Sequence, residues 1–130
     1  MEKTAIVYET GRLFTREMTN ADLPDLSEIL QDPLTMYAYE HAFDDEETRR
    51  WLEKQIDNYK RYGHGLWAVV LKQTGAMIGQ CGLTWQDFGP RRVLEIGYLF
   101  KRSFWRQGYA IEAACGCREY AFDSGLADEV

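Results

Sequence analysis

The residues that could do chemistry are concentrated in positions 94–114, LEIGYLFKRSFWRQGYAIEAA. This pattern predicts a strand, a basic turn and a helix that begins at Gly108. Free N–H groups at a helix N-terminus carry a partial positive charge, and glycine lets the backbone approach a pyrophosphate closely. Because Lys101, Arg102 and Arg106 lie here in a chain of net charge −6, the segment predicts an anionic ligand. An ordinary strand-to-helix turn remains an alternative, since isolated glycine motifs often match by chance.

The same segment resembles the acetyl-CoA-binding motif of the GNAT superfamily of N-acetyltransferases, whose signature is Gln/Arg-x-x-Gly-x-Gly/Ala. Residues 105–113, WRQGYAIEA, are most similar to the ribosomal-protein-alanine N-acetyltransferase-like branch, in which Trp replaces the first signature residue. Arg106 departs from the pattern, because a glycine is usual there, and its side chain would either crowd the pyrophosphate or add a charge to it. Residues 12–26, 67–83 and 118–130 follow the family in order, so the resemblance covers nearly the whole chain.

The resemblance implies a fold and a reaction. The fold is α/β (α+β), with a mixed, mainly antiparallel central sheet flanked by helices. The reaction is direct transfer of an acetyl group from acetyl-CoA to a primary amine, without a covalent enzyme intermediate. The acceptor is either a protein N-terminal α-amine or a small-molecule amine.

The resemblance also assigns an acetyl-CoA site to one strand and the loop after it. The implied residues are Tyr98, Leu99, Phe100, Trp105, Arg106, Gln107, Gly108, Tyr109 and Ala110. The N–H of Leu99 or Phe100 is the candidate donor to the thioester carbonyl. A strand can offer such a donor only where its hydrogen-bond ladder is interrupted, and Gly97 is the expected place for the family's bulge.

Glu95 is the candidate general base. It lies in a run predicted to be buried on both faces, where a carboxylate is costly unless it is paired, hydrogen-bonded or used. The family often has an acidic residue at this position, which acts through water. A structural carboxylate held by an arginine such as Arg16 or Arg118 is the alternative. Glu112 is predicted to be structural, because in the first helical turn it would repel phosphates unless it points away.

Other candidates are weaker. The aromatic segment with Met36, Tyr37, Tyr39 and Phe43 could line an acceptor pocket, although core or interface packing is the favoured interpretation. His64, between two glycines, is predicted to be a turn residue. The three cysteines have no zinc-ligand spacing and are predicted to be small core residues, so the sequence predicts no metal site.

Composition limits the class of protein. With 130 residues and 45% apolar residues, the chain is predicted to form one domain over 1–130. The pI near 4.9 argues against nucleic-acid binding. No run is long enough to span a membrane and no cleavable leader is recognisable, so a cytoplasmic location is predicted.

The periodicity predicts the order of elements. The predicted strands are residues 12–17, 66–71, 77–83 and 93–100, and the predicted helices follow Thr19 or Asn20, extend from about 44 to 62, and follow Gly108. The last helix carries a face of small residues that includes Ala113, Cys117 and Ala121, and this face predicts close packing on the sheet.

The chain stops at Val130, where the family would begin another strand, so we expect an acetyltransferase domain that is incomplete at its C-terminal end. The strand over 93–100 would then have an open edge, which predicts a possible homodimer through that edge. The alternative function is a non-catalytic CoA-binding or self-assembling module.

Overall fold

Five β-strands form one sheet in chain order within the part of the chain that the structure describes, and every neighbouring pair is antiparallel. The computed structural model describes residues 5–126. The strands are β1 Ile6–Glu9, β2 Leu13–Arg16, β3 Leu66–Leu71, β4 Met77–Phe88 and β5 Arg91–Phe100, and the helices are α1 Leu23–Leu30, α2 Asp45–Tyr62 and α3 Tyr109–Asp123. The predicted mainly antiparallel sheet flanked by helices is confirmed. Residues 127–130, after which the family would begin another strand, lie outside the described part.

The helices begin where the sequence predicts. Thr19 forms a capping box at the short 3-10 turn that leads into α1, and Asp44 forms one with Glu47 at the start of α2. In each box two backbone N–H groups that lack helical partners are satisfied by side chains. Gly63 ends α2.

The sheet is longer than the sequence pattern indicates. β4 continues to Phe88 because residues 84–88 pair with residues 91–95 of β5 across a two-residue turn. β1 is not predicted at all, since it is four residues long and has no fully buried position to mark it.

The two faces of the sheet carry separate cores. On one face Trp67 and Cys81 pack with the small residues of α3, and on the other Ala68 and Met77 pack with α1 and α2. Strand side chains alternate between faces, which explains the division. A Cβ atom at Gly116 of α3 would lie 2.7 Å from the ring of Tyr8, so the predicted close packing of α3 is confirmed.

The cysteines divide between core and surface. Cys81 and Cys117 are fully buried between the sheet and α3, as predicted. The prediction is wrong for Cys115, which is exposed because it lies two positions before Cys117 and so on a different side of α3. None of the helices within residues 5–126 has the length and apolarity of a membrane span.

Candidate active site

The predicted phosphate loop ends at the N-terminus of α3. Gly108 is the N-cap residue and has a left-handed backbone, with φ of 83°. The first helical hydrogen bond runs from Glu112 N to Gly108 O at 3.0 Å, so the N–H groups of residues 109–111 have no carbonyl partner within the helix. A depression of about 200 Å³, lined by Phe100, Trp105 and Ala110 among others, lies at this helix end. The backbone therefore offers hydrogen-bond donors and a positive dipole to an anion.

The backbone of Arg106 has a conformation that is usual for glycine, the residue that the motif prefers at this position. Its φ is 64°, in the left-handed region, and it is the one non-glycine residue with positive φ among residues 5–126. This conformation costs a residue with a side chain roughly 1–2 kcal/mol. A glycine at this position, as the motif prefers, would adopt the same conformation without that cost.

Two of the three loop cations are already paired within the chain. Lys101 Nζ lies 2.8 Å from Asp25 Oδ1, and it also contacts Glu28. Arg102 Nε lies 2.8 Å from Asp32 Oδ2. Acids on and just after α1, distant in the sequence, neutralise these two cations. Within residues 5–126, Arg106 is the loop cation left without a carboxylate partner.

Glu112 has a structural role, as predicted, because residues of the β1–β2 turn hold its carboxylate. Its carboxylate accepts hydrogen bonds from Arg12 Nε at 2.7 Å, from Arg12 N at 2.9 Å and from the Thr10 hydroxyl. Partial burial would raise the pKa of Glu112, but these hydrogen bonds outweigh it and hold the pKa below its ordinary value. Arg12 also donates to Gln107 O at 3.1 Å and lies 4.3 Å from the ring centre of Tyr109. The pair thus ties the loop to the β1–β2 turn.

β5 is the outermost strand of the described sheet, and its N–H groups alternate between two sides. Lys101 N donates to Ile78 O at 2.9 Å, which directs the N–H groups of odd-numbered β5 residues toward β4. The Leu99 N–H therefore faces β4, and the N–H groups of Tyr98 and Phe100 face the open edge. Of the two predicted carbonyl donors, Phe100 is the one whose N–H faces that edge.

The expected bulge at Gly97 is absent, and that prediction is wrong. Residues 79–88 pair with residues 91–100 without any shift in register. An outermost strand presents every second N–H group on its open side without a bulge. Trp105 lies beside this edge and donates its indole N–H to Phe100 O at 2.9 Å, which fixes the peptide next to the exposed donor.

A cleft of about 290 Å³ lies on the side of β5 that faces α2, between α2 and the β4–β5 hairpin. Its walls combine polar and charged side chains, among them Lys54 and Arg92, with the aromatic residues Tyr39, Trp51, Tyr62, Trp85 and Tyr98. Aromatic faces attract cations, and Arg92 already lies over two of these rings, 5.6 Å from the ring centre of Tyr62 and 5.1 Å from that of Trp85.

Glu95 lines this cleft, but it is exposed, so the expectation that both faces of its strand are buried is wrong. The physical reason is that β5 borders an open cleft and has no outer neighbour within residues 5–126. The two arginines suggested as structural partners are engaged elsewhere, Arg16 with Asp22 at 2.8 Å and Arg118 over Phe122. Burial raises the pKa of Tyr39, and the negative charge of Glu95 adds to the rise, which indicates that the two side chains are close.

Two cleft residues were missed by the sequence reasoning. His64 is buried, and its Nδ1 lies 2.9 Å from Leu83 O. A carbonyl oxygen only accepts, so Nδ1 carries the proton and Nε2 of the neutral ring keeps its lone pair. Gln80 is fully buried and accepts from Trp51 Nε1 at 3.1 Å. A signal for Gln80 existed, because a polar residue in an apolar strand needs a partner.

The aromatic segment before α2 has both of the predicted roles, since some of its residues pack in the core and another lines the cleft. Met36 is buried in the core and Phe43 packs on Trp51 with ring centres 5.6 Å apart. Tyr39 lines the cleft, whereas Tyr37 is 84% exposed. Within the described part of the chain, no group of three or more His, Cys, Asp or Glu side chains could hold a metal ion.

Comparison with known proteins agrees with this geometry. The model of the Acetyltransferase (GNAT) domain matches residues 12–130. The uncharacterised protein YkkB of Bacillus subtilis is 40% identical over 122 residues, which are 93% of this chain and 70% of that protein. The uncharacterised N-acetyltransferase p20 of Bacillus licheniformis is 32% identical over 117 residues, 88% of this chain and 65% of that protein.

Solved structures show the same fold. An acetyltransferase from Agrobacterium tumefaciens superposes with a TM-score of 0.80 at 27% identity, covering 98% of this chain and 72% of that one. An acetyltransferase from Salmonella typhimurium, described as modifying the N-terminal serine of ribosomal protein L7/L12, superposes with a TM-score of 0.70 at 17% identity, covering 93% and 70%. The chain thus spans about two thirds of the length of the proteins it matches.

Proposed function

Since the chain belongs to the GNAT acetyltransferase family, we propose that it transfers an acetyl group from acetyl-CoA to a primary amine. One observation carries the proposal: a helix N-terminus with free N–H groups and a cleft with aromatic side chains and a carboxylate lie along a single strand, β5. The first suits a phosphorylated cofactor and the second suits a cationic amine.

The loop residues fit acetyl-CoA as a co-substrate. The N–H groups at the start of α3 are available for the pyrophosphate, and Arg106 adds a positive charge that no carboxylate within residues 5–126 neutralises. Gly108, the residue type that its left-handed backbone favours, leaves this surface free of a side chain. When bound, the thioester supplies the acetyl group for an amine to attack, and CoA is released as a thiol.

The Phe100 N–H is our proposed donor to the acetyl carbonyl. It faces the open edge of β5 and lies next to the peptide that Trp105 holds. A donor fixed before the reaction stabilises negative charge on oxygen without reorganising, which is the physical basis of an oxyanion hole. Leu99 would contribute to acetyl-CoA binding through its side chain, which is partly exposed at the cleft.

Glu95 is our proposed general base, acting through water. An incoming ammonium group is attracted by the carboxylate and by the rings of Tyr39 and Trp51, which Arg92 does not cover, and it must lose a proton before its nitrogen can attack. Glu95 lies five residues before Phe100, which is roughly 17 Å along an extended strand. The proton therefore passes through water from the amine near Phe100 to the Glu95 carboxylate. His64 Nε2, in the same cleft, is the second candidate for receiving it.

The acceptor class is part of the proposal. A protein N-terminal α-amine is supported by the structural neighbour described as acting on a ribosomal protein N-terminus, and a small amine suits the cleft equally in size. We propose the cytoplasm as the location, because acetyl-CoA and both acceptor types are available there.

The first experiment is a calorimetric titration of acetyl-CoA into the 130-residue chain, with acetyl-pantetheine, which has no pyrophosphate, as the control. We expect saturable binding that depends on the phosphates. Release of free thiol is then measured with a panel of N-terminal peptides and small amines. Phosphate-dependent binding without turnover of any amine would refute the enzyme proposal and leave a CoA-binding module.

The β5 edge supports one alternative, self-association through that strand. Among residues 5–126 no strand covers this edge, and Tyr98 on it is 52% exposed. Light scattering during size-exclusion chromatography measures the molar mass directly. A homodimer that dissociates when Tyr98→Lys is introduced would support the alternative, and a monomer would exclude it.

A further inference from the structure

Gln80 has one half of its amide satisfied and the other half unpaired. Its side chain is fully buried in β4 and lines the cleft. Oε1 accepts the indole N–H of Trp51 at 3.1 Å, and within the described residues Nε2 has no hydrogen-bond partner. It is the one buried side-chain nitrogen or oxygen in that part of the chain with none.

The Trp51 contact determines which way the amide faces. The indole N–H can only donate, so the oxygen of Gln80 must face Trp51 and the NH₂ group must face the opposite way. A buried donor without a partner is unfavourable by an amount comparable to a lost hydrogen bond. A site that accepts this penalty when empty gains the bond when an oxygen of a ligand reaches it.

The position of Gln80 indicates which ligand supplies that oxygen. Gln80 lies opposite Leu99 in the β4–β5 register, on the inner side of β5. The Gln80 side chain projects from the face of the sheet that borders the cleft, whereas the Phe100 N–H lies in the plane of the sheet and faces the open edge, so the two donors serve different oxygens. Gln80 is beside the place where an amine must stand to reach an acetyl group held at Phe100. The oxygen therefore belongs to the acceptor.

We propose that Gln80 is a specificity-determining residue whose Nε2 donates to a carbonyl oxygen adjacent to the reacting amine. This inference rests on the proposed acetyl transfer. It selects α-amino carbonyl compounds, such as aminoacyl amides and peptide N-termini, over amines that have only carbon at that position. A carbonyl oxygen suits the site because it accepts a hydrogen bond without bringing a proton that needs its own partner.

The test compares glycinamide with isobutylamine, which has the same number of non-hydrogen atoms but no oxygen. Each amine is assayed with the wild-type chain and with Gln80→Met, so the difference in basicity between the amines cancels. We expect kcat/KM for glycinamide to fall roughly tenfold or more in the variant and that for isobutylamine to change less than about twofold. Gln80→Glu keeps an acceptor for Trp51 Nε1 but loses the NH₂ donor, so it should show the same selective loss for glycinamide as Gln80→Met. Thermal melting checks that both variants fold.

A second readout does not depend on turnover. Trp51 and Trp85 line the cleft, so their fluorescence reports binding of either amine. The wild-type chain should bind glycinamide more tightly than Gln80→Met does, with little difference for isobutylamine. Equal losses for both amines, in kinetics and in binding, would overturn the inference, as would a loss seen only in the KM for acetyl-CoA. If the wild-type chain acetylates neither amine yet binds glycinamide in a Gln80-dependent way, the acetyl-transfer proposal fails and the recognition by Gln80 stands.

Discussion

The two sides of β5 differ in which polar groups the described part of the chain leaves free: on the loop side these are backbone N–H groups and Arg106, and on the cleft side they are side chains. On the loop side, Glu112 receives hydrogen bonds from Thr10 and Arg12, and the acids near α1 pair with Lys101 and Arg102. On the cleft side, Gln80 Nε2 has no partner among residues 5–126, and Glu95 is exposed.

This difference suits the loop side to holding the cofactor and the cleft side to reacting with the acceptor. A cofactor that is the same in every turnover is best bound by a rigid loop, because less conformational freedom is lost on binding. Groups that take part in proton transfer or select an acceptor must be free to bond to the substrate. We therefore expect changes on the loop side to alter affinity for acetyl-CoA or stability, and changes on the cleft side to alter turnover.

The largest expected effect is that of Gly108→Asp on the loop side. The variant places a negative charge at the N-terminus of α3, and its Cβ would lie 3.3 Å from Arg12 Nη2 in a left-handed conformation. We expect the Kd for acetyl-CoA to rise at least 100-fold, because the carboxylate repels the phosphates. Calorimetric titration measures this directly.

The matched control is Gly75→Asp in the β3–β4 turn. Gly75 has nearly the same φ, 76°, and a Cβ there would meet nothing within 4 Å. It therefore adds the same charge and the same backbone strain away from the loop. If Gly75→Asp weakens binding as much as Gly108→Asp does, the loop is not the phosphate site.

On the cleft side we expect Glu95→Gln to lower kcat about 100-fold and to leave the Kd for acetyl-CoA within twofold of the wild-type value. Glu53→Gln, at an exposed position of α2, controls for loss of one negative charge. Steady-state kinetics with one amine separates the two effects. A loss confined to the affinity for acetyl-CoA would remove the distinction between the two sides.

A variant of His64 tests whether Glu95 or the histidine accepts the proton. If His64→Asn lowers kcat as strongly as Glu95→Gln, and the double variant is no worse than either single one, the two residues act in one proton path. If only His64→Asn is inactive, the base is the histidine.

The same comparison explains what could be predicted from the sequence. The loop could be located because its residues are contiguous and its function depends on backbone geometry, which Gly108 reveals. The cleft could not be located, because Gln80, His64 and Trp51 come from separate elements and meet only after folding. Burial of Glu95 was predicted wrongly, since the apolar pattern of a strand does not show whether a neighbouring strand or a cleft lies beside it.

The ion pair on the loop side makes a smaller prediction about stability. Glu112→Gln should lower the free energy of unfolding at pH 7 by about 1 kcal/mol, a value reduced because the Arg12 side chain is 47% exposed. The pKa of Glu112 is held below its ordinary value, so the stabilisation is present above a pH of about 4.3 and is lost as the pH falls through the folded-state pKa. Urea unfolding at pH 7 and at pH 3 tests both statements.

The control for Glu112 is Glu119→Gln, at an exposed position of the same helix. We expect it to change the free energy of unfolding by less than about 0.5 kcal/mol at either pH. An equal loss for the two variants at pH 7 would mean that the Arg12 pair does not hold the loop.

Arg106 gives the smallest expected effect and separates strain from charge at one position. Arg106→Gly and Arg106→Ala both remove the cation, but only glycine adopts a φ near 64° without strain. We therefore expect the glycine variant to be about 1 kcal/mol more stable than the alanine variant, measured by urea unfolding. Both variants should bind acetyl-CoA equally and several-fold more weakly than the wild-type chain, because the loss of charge is common to them. If the glycine variant instead binds more tightly than the wild-type chain, crowding by the Arg106 side chain outweighs its charge, and the loop binds phosphate through its backbone alone.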